Sequence, residues 1–212
     1  AKPAVAQRRY LARGPPRGAP GGKAAAGRLL AGYVTRVAAQ FDRSARPVFV
    51  HEHQHSLRAA FRIERGARKA NEALEQVHGM VLCPACQTWG PEACACGQAE
   101  KSGPYWMGPL QDAGFLGPML DAMAGASLAQ PGKVARLLEH LVGEAEMGPF
   151  YLDVGQACKR LGASPPGREA LIQALEDAGI PAARTAFSPE AVAYRGDPQE
   201  ALEVLQGASP ST

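Results

Sequence analysis

Four of the chain's five cysteines crowd into one stretch, as Cys83-Pro84-Ala85-Cys86, seven intervening residues, then Cys94-Ala95-Cys96-Gly97. Two close pairs can converge from adjacent hairpin turns. Zn²⁺ favours four soft donors in a tetrahedron, and thiolates from two turns meet that preference with no position left open for a substrate. The spacing therefore assigns Cys83, Cys86, Cys94 and Cys96 to a structural zinc site rather than a catalytic one. The second pair is Cys-x-Cys, where Cys-x2-Cys is commoner. A redox-active Cys-x-x-Cys pair, disulfides and free thiols are the alternatives. Redox chemistry usually places the reactive cysteine at a strand-to-helix junction, which Pro91 and the neighbouring second pair oppose. Cys158 lies in the apolar helical stretch 154–161 and reads as a buried bystander.

His51, His53 and His55 alternate and would share one face of a continuous strand, a spacing able to present metal ligands. No acidic cluster stands beside them apart from Glu52, which would point the other way, so a polar or RNA-facing hairpin is the preferred reading. The early glycines Gly14, Gly18, Gly21, Gly22 and Gly27 do not make a nucleotide-binding fingerprint. No hydrophobic strand precedes them, and the Gly-x-Gly-x-x-Gly spacing is absent. Two Gly-Pro pairs bracket Tyr105 and Trp106 between Gly103 and Leu110. That pattern predicts a rigid connector whose aromatics anchor it to a core, with stacking on a base as the alternative.

Helical spacing of Leu29, Leu30, Tyr33, Val34, Val37, Ala38 and Phe41 predicts an amphipathic helix that stops before Ser44 and Pro47. Residues 47–50 and 57–63 are β-prone runs, read as adjacent strands across a polar stretch, and 67–76 return to a helical composition. Further helices are expected over 111–124, 134–145 and 171–178, the last framed by Ser164-Pro165 before it and by Gly179 and Pro181 after it. A β-like run over 184–187, a turn at Ser188-Pro189 and a helix over 198–205 complete an α+β unit of winged-helix type. The cysteine segment 77–97, with strand-like flanks, marks the expected junction and divides 1–76 from 77–212.

At 46% hydrophobic and 20% charged residues, the 212-residue chain can bury one large core or two small ones. No run approaches the roughly 18 apolar residues of a membrane span, and the N-terminus lacks a secretory signature, so no membrane partner and a cytoplasmic location are expected. The chain begins with Ala1 rather than Met and reads as if joined mid-domain. Its net charge of +3 is mild. Even so, Arg8, Arg9, Arg13, Arg17, Lys23, Arg28, Arg36, Arg43 and Arg46 give the early segment mostly one sign. A polyanion partner and a merely solvated basic surface both account for that bias.

The motif Gly103 to Leu110, directly after the cysteine pairs, resembles the tRNA (guanine-26) N2-dimethyltransferases. The resemblance runs through Arg8-Arg9-Tyr10, the segment Arg28 to Arg36, His55-Ser56-Leu57-Arg58, Arg62 to Ala67, the cysteine pairs and Phe187-Ser188-Pro189. It implies an α+β chain: the end of a Rossmann-like methyltransferase domain over 1–76, then a zinc-ribbon and winged-helix-like tRNA-binding domain over 77–212. It implies S-adenosyl-L-methionine and Zn²⁺ as cofactors and tRNA as partner. Arg8, Arg9, Arg28, Arg36 and Arg58 are the expected RNA contacts, with surface ion pairs as the alternative for each. The family's acidic Asp-Pro-Phe type motif and cofactor loop are absent, so the catalytic groups are expected upstream of Ala1. This chain also reads Gly22-Lys23-Ala24 where the family carries Cys-His-Glu, and His51, Glu52 and Ser56 replace its usual aromatics. A non-catalytic zinc-ribbon RNA-binding module is the competing function.

Overall fold

The structure, a computed structural model, describes residues 3–53 and 56–209. Helix α1 (Pro3–Tyr10) leads through an irregular stretch into α2 (Gly22–Ala39). This second helix starts before the apolar periodicity at Leu29 because its first turns are built from small residues. Ala24, Ala25 and Gly27 are buried there and carry little hydrophobic signal. Strands β1 (Arg43–His53) and β2 (Ser56–Arg65) follow as an antiparallel hairpin, with His51 opposite Arg58 and His53 opposite Ser56. Both strands outrun their apolar centres because ladder pairing needs backbone, not side chains. The register shifts between Pro47 and Phe49, close to a proline that cannot donate to the ladder. Helix α3 (Ala67–Leu74) packs back on β1 and α2.

Strands β3 (Val77–Leu82), β4 (Trp89–Gly90) and β5 (Glu100–Trp106) form an antiparallel sheet in the order β4-β3-β5. Here the expected connector is corrected: the first half of Gly103 to Leu110 is part of a paired edge strand. Its aromatics do anchor, since Tyr105 and Trp106 are fully buried, with their polar atoms bonded to Ser102 Oγ and the Pro109 carbonyl. Strand β5 lies close against α2 at Gly32, where an added Cβ would sit 3.1 Å from the Pro104 carbonyl and the Trp106 nitrogen. One buried cluster joins Ala31, Val50 and Ala73 to Trp106, Leu110, Tyr151 and Phe187.

The remainder runs α4 (Ala113–Asp121), a 3-10 turn, α5 (Pro131–Gly143), β6 (Leu152–Asp153), α6 (Val154–Leu161) and α7 (Arg168–Asp177). It ends with β7 (Ala182–Arg184), β8 (Ala191–Tyr194) and α8 (Pro198–Ala208). The three strands pair antiparallel in the order β6-β8-β7 over a core of Val154, Leu171, Leu175, Val192 and Leu205. Asp112, Asp153 and Asp197 cap α4, α6 and α8 by accepting backbone N–H bonds. All four residues of β8 are buried, so it lacks the in-out alternation that would have revealed it.

Gly21 opens α2 with φ +79°, and a Cβ there would lie 2.5 Å from Phe150 Cδ1. Gly21→Ala combines a left-handed backbone with a core clash and is expected to cost about 2–4 kcal/mol. Urea unfolding should show a lower midpoint at unchanged slope. A loss under about 0.5 kcal/mol would mean that Phe150 yields.

Candidate functional site

The cysteines leave one end of the sheet β4-β3-β5. Leu82, the last residue of β3, pairs with Trp89 on one side and Glu100 on the other, so the first loop starts and ends at this rung and the second ends at it. In the first loop Cys83 N–H donates to the Thr88 carbonyl, and Cys86 N–H donates to Cys83 Sγ at 3.1 Å. Gln87 takes a left-handed φ of 53° and is held there by bonds from its amide to the Gly18 and Pro84 carbonyls. Gly97, with φ 73°, turns the second loop into β5.

The four sulfurs all lie within 4.8 Å of one another, with Cys83 Sγ 3.3 Å and Cys94 Sγ 3.1 Å from Cys96 Sγ. Tetrahedral thiolates around a metal at about 2.3 Å stand about 3.8 Å apart, so small adjustments fit this donor set to an ion. All five cysteines are free, and Cys83 follows a strand into a hairpin turn rather than opening a helix. None of the five is disulfide-bonded in this structure. Hydrogen bonding from Cys94 holds the Cys96 thiol down at about 6, whereas the contact with Cys96 pushes Cys86 up to about 12. Burial pushes the Cys83 thiol up as well. Cys158 lies apart, buried in the core of the β6-β8-β7 unit.

Among the described residues no other group of three or more histidine, cysteine or acidic side chains is gathered closely enough for a metal. His51 is half-buried with its ring 6.1 Å from Phe49, and burial lowers its pKa. His53 is exposed, and His55 lies outside the described residues.

The five expected RNA-contact arginines separate. Arg8 and Arg9 are exposed in the last turn of α1, and Arg58 is exposed on β2. Arg36 is half-buried, and its guanidinium donates to the Tyr10 carbonyl at 2.8 Å, tying α2 to the end of α1. Arg28 is corrected: it is 5% exposed and cannot reach an external phosphate. Its guanidinium donates to the carbonyls of Trp106 and Gly108, each at 2.8 Å, and to that of Pro149. Burial pulls its pKa down to about 9, opposed by the charge of Glu144, and it stays cationic at neutral pH.

Glu144, which no local motif in the sequence singles out, is the other buried charge among the described residues. Its carboxylate accepts from the Gln111 amide at 2.7 Å and from Ala186 N–H at 2.9 Å. Burial raises its pKa, while Thr185, Ala186, Gln111 and Arg28 pull it back. Gln111 also bridges to both backbone polar atoms of Val50. Arg28, Gln111, Glu144 and Thr185 line a cavity of about 20 Å³, where α2, β8 and the segments around 109–111, 144–151 and 185–187 converge. No local spacing signals such a network, because its members come from five distant segments.

Helices and three small antiparallel sheets, with a four-thiol clamp on the central one, define an α+β protein organised around a cysteine-held sheet. The description N2,N2-dimethylguanosine tRNA methyltransferase matches residues 19–206, and the chain belongs to that family of enzymes. It is 32% identical over 193 residues to the tRNA (guanine(26)-N(2))-dimethyltransferase of Methanothermobacter thermautotrophicus, covering 86% of this chain and 51% of that protein. Against the same enzyme of Aeropyrum pernix it is 32% identical over 216 residues, covering 96% and 53%. Trm1 of Pyrococcus horikoshii, solved with S-adenosyl-L-methionine, superposes with TM-score 0.80 at 27% identity, covering 96% of this chain and 54% of that one. The chain thus spans about half the length of these relatives.

Proposed function

We propose that the chain is the C-terminal part of an S-adenosyl-L-methionine-dependent methyltransferase acting on the exocyclic N2 of a guanine in tRNA, at position 26 by resemblance. The observation that carries this reading is the family match across residues 19–206. Residues 1–76 are then the closing elements of the methyltransferase domain. A two-stranded hairpin such as β1-β2 is marginal alone, and Phe41 and Ile63 stand 69% and 50% exposed beside it, as expected of a sheet end that more structure covers. Residues 77–212 hold the tRNA. The paired cysteine loops on β4-β3-β5 support a zinc ribbon in which Cys83, Cys86, Cys94 and Cys96 hold Zn²⁺ as a closed, structural ion. The succession α5, β6, α6, α7, β7, β8 with strand order β6-β8-β7 supports a winged-helix unit. Free thiols suit the reducing cytoplasm, where we place the protein.

S-adenosyl-L-methionine supplies the methyl group when bound. The guanine amine is a poor nucleophile because its lone pair is delocalised into the ring, so the base must be held outside its stack and the amine aimed. The part this chain plays is positional. Exposed Arg8, Arg9 and Arg58 would hold phosphates, and Arg36 would add a contact beside its bond to the Tyr10 carbonyl. The cysteine-clamped sheet braces α2 through Tyr105 and Trp106. The sequence contains neither a glycine-rich cofactor loop nor an Asp-Pro-Phe motif, so we assign proton removal and cofactor binding to the part of the relatives' length not spanned here.

The test is methyl transfer from labelled S-adenosyl-L-methionine to unmodified tRNA by the full-length product of the reading frame. Label in N2-methylated guanosine is the expected result. A product that binds tRNA with falling affinity as salt rises, yet transfers no methyl, would replace this reading with a non-catalytic RNA-binding module.

A further inference from the structure

A groove of about 340 Å³ runs between α5 and the segment 185–189, away from the cysteine cluster. Lys133, Arg136 and His140 share the α5 face that forms one wall, following the i, i+3, i+7 spacing of a helix. Lys23 from α2 and Arg168 from the start of α7 close it. Two of these cations are internally neutralised: Lys23 pairs with Glu52 at 2.9 Å, and Arg168 shares Glu169 with Arg184. Lys133 and Arg136 are in no ion pair among the described residues. The one carboxylate in the lining, Glu52, is already paired with Lys23, so the uncompensated charge is positive. His140 is held below its usual pKa first by burial and then by Arg184 and Arg168, against the opposing pull of Glu139, with Arg136 adding last.

The neighbouring surface has the opposite sign. Helix α7, the element a winged-helix unit usually lays into a nucleic-acid groove, exposes Glu176 and Asp177, besides the Glu169 already shared by Arg168 and Arg184. A polyanion is repelled from that face and drawn to α5. We infer that the groove between α5 and the Phe187-Ser188-Pro189 turn seats the sugar-phosphate backbone of the tRNA, with Lys133 and Arg136 as its free phosphate-binding cations. This rests on the tRNA reading above and adds where the strand lies: beside the winged-helix-like unit, not along its third helix. Two unpaired cations on one helix face, with a rigid proline turn opposite, suit phosphate contacts rather than base reading.

Binding of unmodified tRNA to the whole chain, measured at several salt concentrations, tests the assignment. The double variant Lys133→Gln/Arg136→Gln should bind at least about tenfold more weakly near physiological salt, and its log–log salt slope should fall by about 2. Lys159→Gln/Arg160→Gln removes the same charge from exposed positions of α6 outside the groove and should change affinity by less than about threefold. If the groove variant binds as tightly as the wild type, or both variants weaken equally, the groove assignment is overturned while tRNA binding stands. A wild-type chain with no measurable tRNA affinity overturns both.

Discussion

Cys83→Ser is expected to lower the melting temperature of the chain by at least about 10 °C and to abolish bound zinc, which in the wild type should approach one ion per chain. Strand β4 has two residues and meets β3 at only two rungs, too little ladder to stand without a clamp. The four-sulfur cluster closes both loops at that rung, and a structural zinc site contributes its binding free energy directly to folding. Leu82 and Tyr105 belong to the same buried cluster as Ala25 and Phe150, so loosening the sheet opens contacts with α2 as well. A loss of about 4 kcal/mol corresponds to a shift on this scale for a chain of this size. Metal analysis and thermal melts with and without a chelator provide the readout. Cys158→Ser is the control, because that thiol lies in a different core and should leave the metal content unchanged. Equal melting temperatures with and without chelator, and no metal in the purified protein, would remove the zinc site.

Arg28→Met is expected to destabilise the chain by about 3–5 kcal/mol, the range for stranding a buried charge. Three backbone carbonyls would lose their donor, and Glu144 would lose the cation that offsets its burial. The damage should be partly repaired in Arg28→Met/Glu144→Gln, where the stranded carboxylate becomes a neutral amide. The two losses should therefore fall short of additivity by about 1 kcal/mol or more. Urea titration of the four proteins in the cycle measures this. A single-variant loss under about 1 kcal/mol would show that Arg28 does not organise the junction and would return it to the candidate RNA contacts.

The gathering of four cysteines was legible in sequence because their spacing is local. Cys83 and Cys86, and then Cys94 and Cys96, are each close enough in the chain to share a turn, and two turns suffice for a tetrahedron. Helix α7 was legible for a similar reason, its apolar residues recurring at helical spacing between a proline and a glycine. Strand β8 was not, since Ala191 to Tyr194 is buried on both faces and shows no alternation. Nor was β5, where prolines suggested a connector although the strand lies at a sheet edge that tolerates them.

Arginine roles divided along the same line. Composition showed a basic early segment but gave no means of telling Arg28, walled in by carbonyls, from Arg8 and Arg9 in water. That distinction depends on Trp106, Gly108 and Pro149, residues 78 to 121 positions away, and on a carboxylate at Glu144. The sequence by itself determined which side chains could ligate a metal and which stretches could be helical, because both follow from spacing over a few residues. Only the tertiary structure decided which charges are buried, which are free to meet a polyanion and which helix face is positive. Burial and electrostatic potential sum over groups brought together from the whole chain.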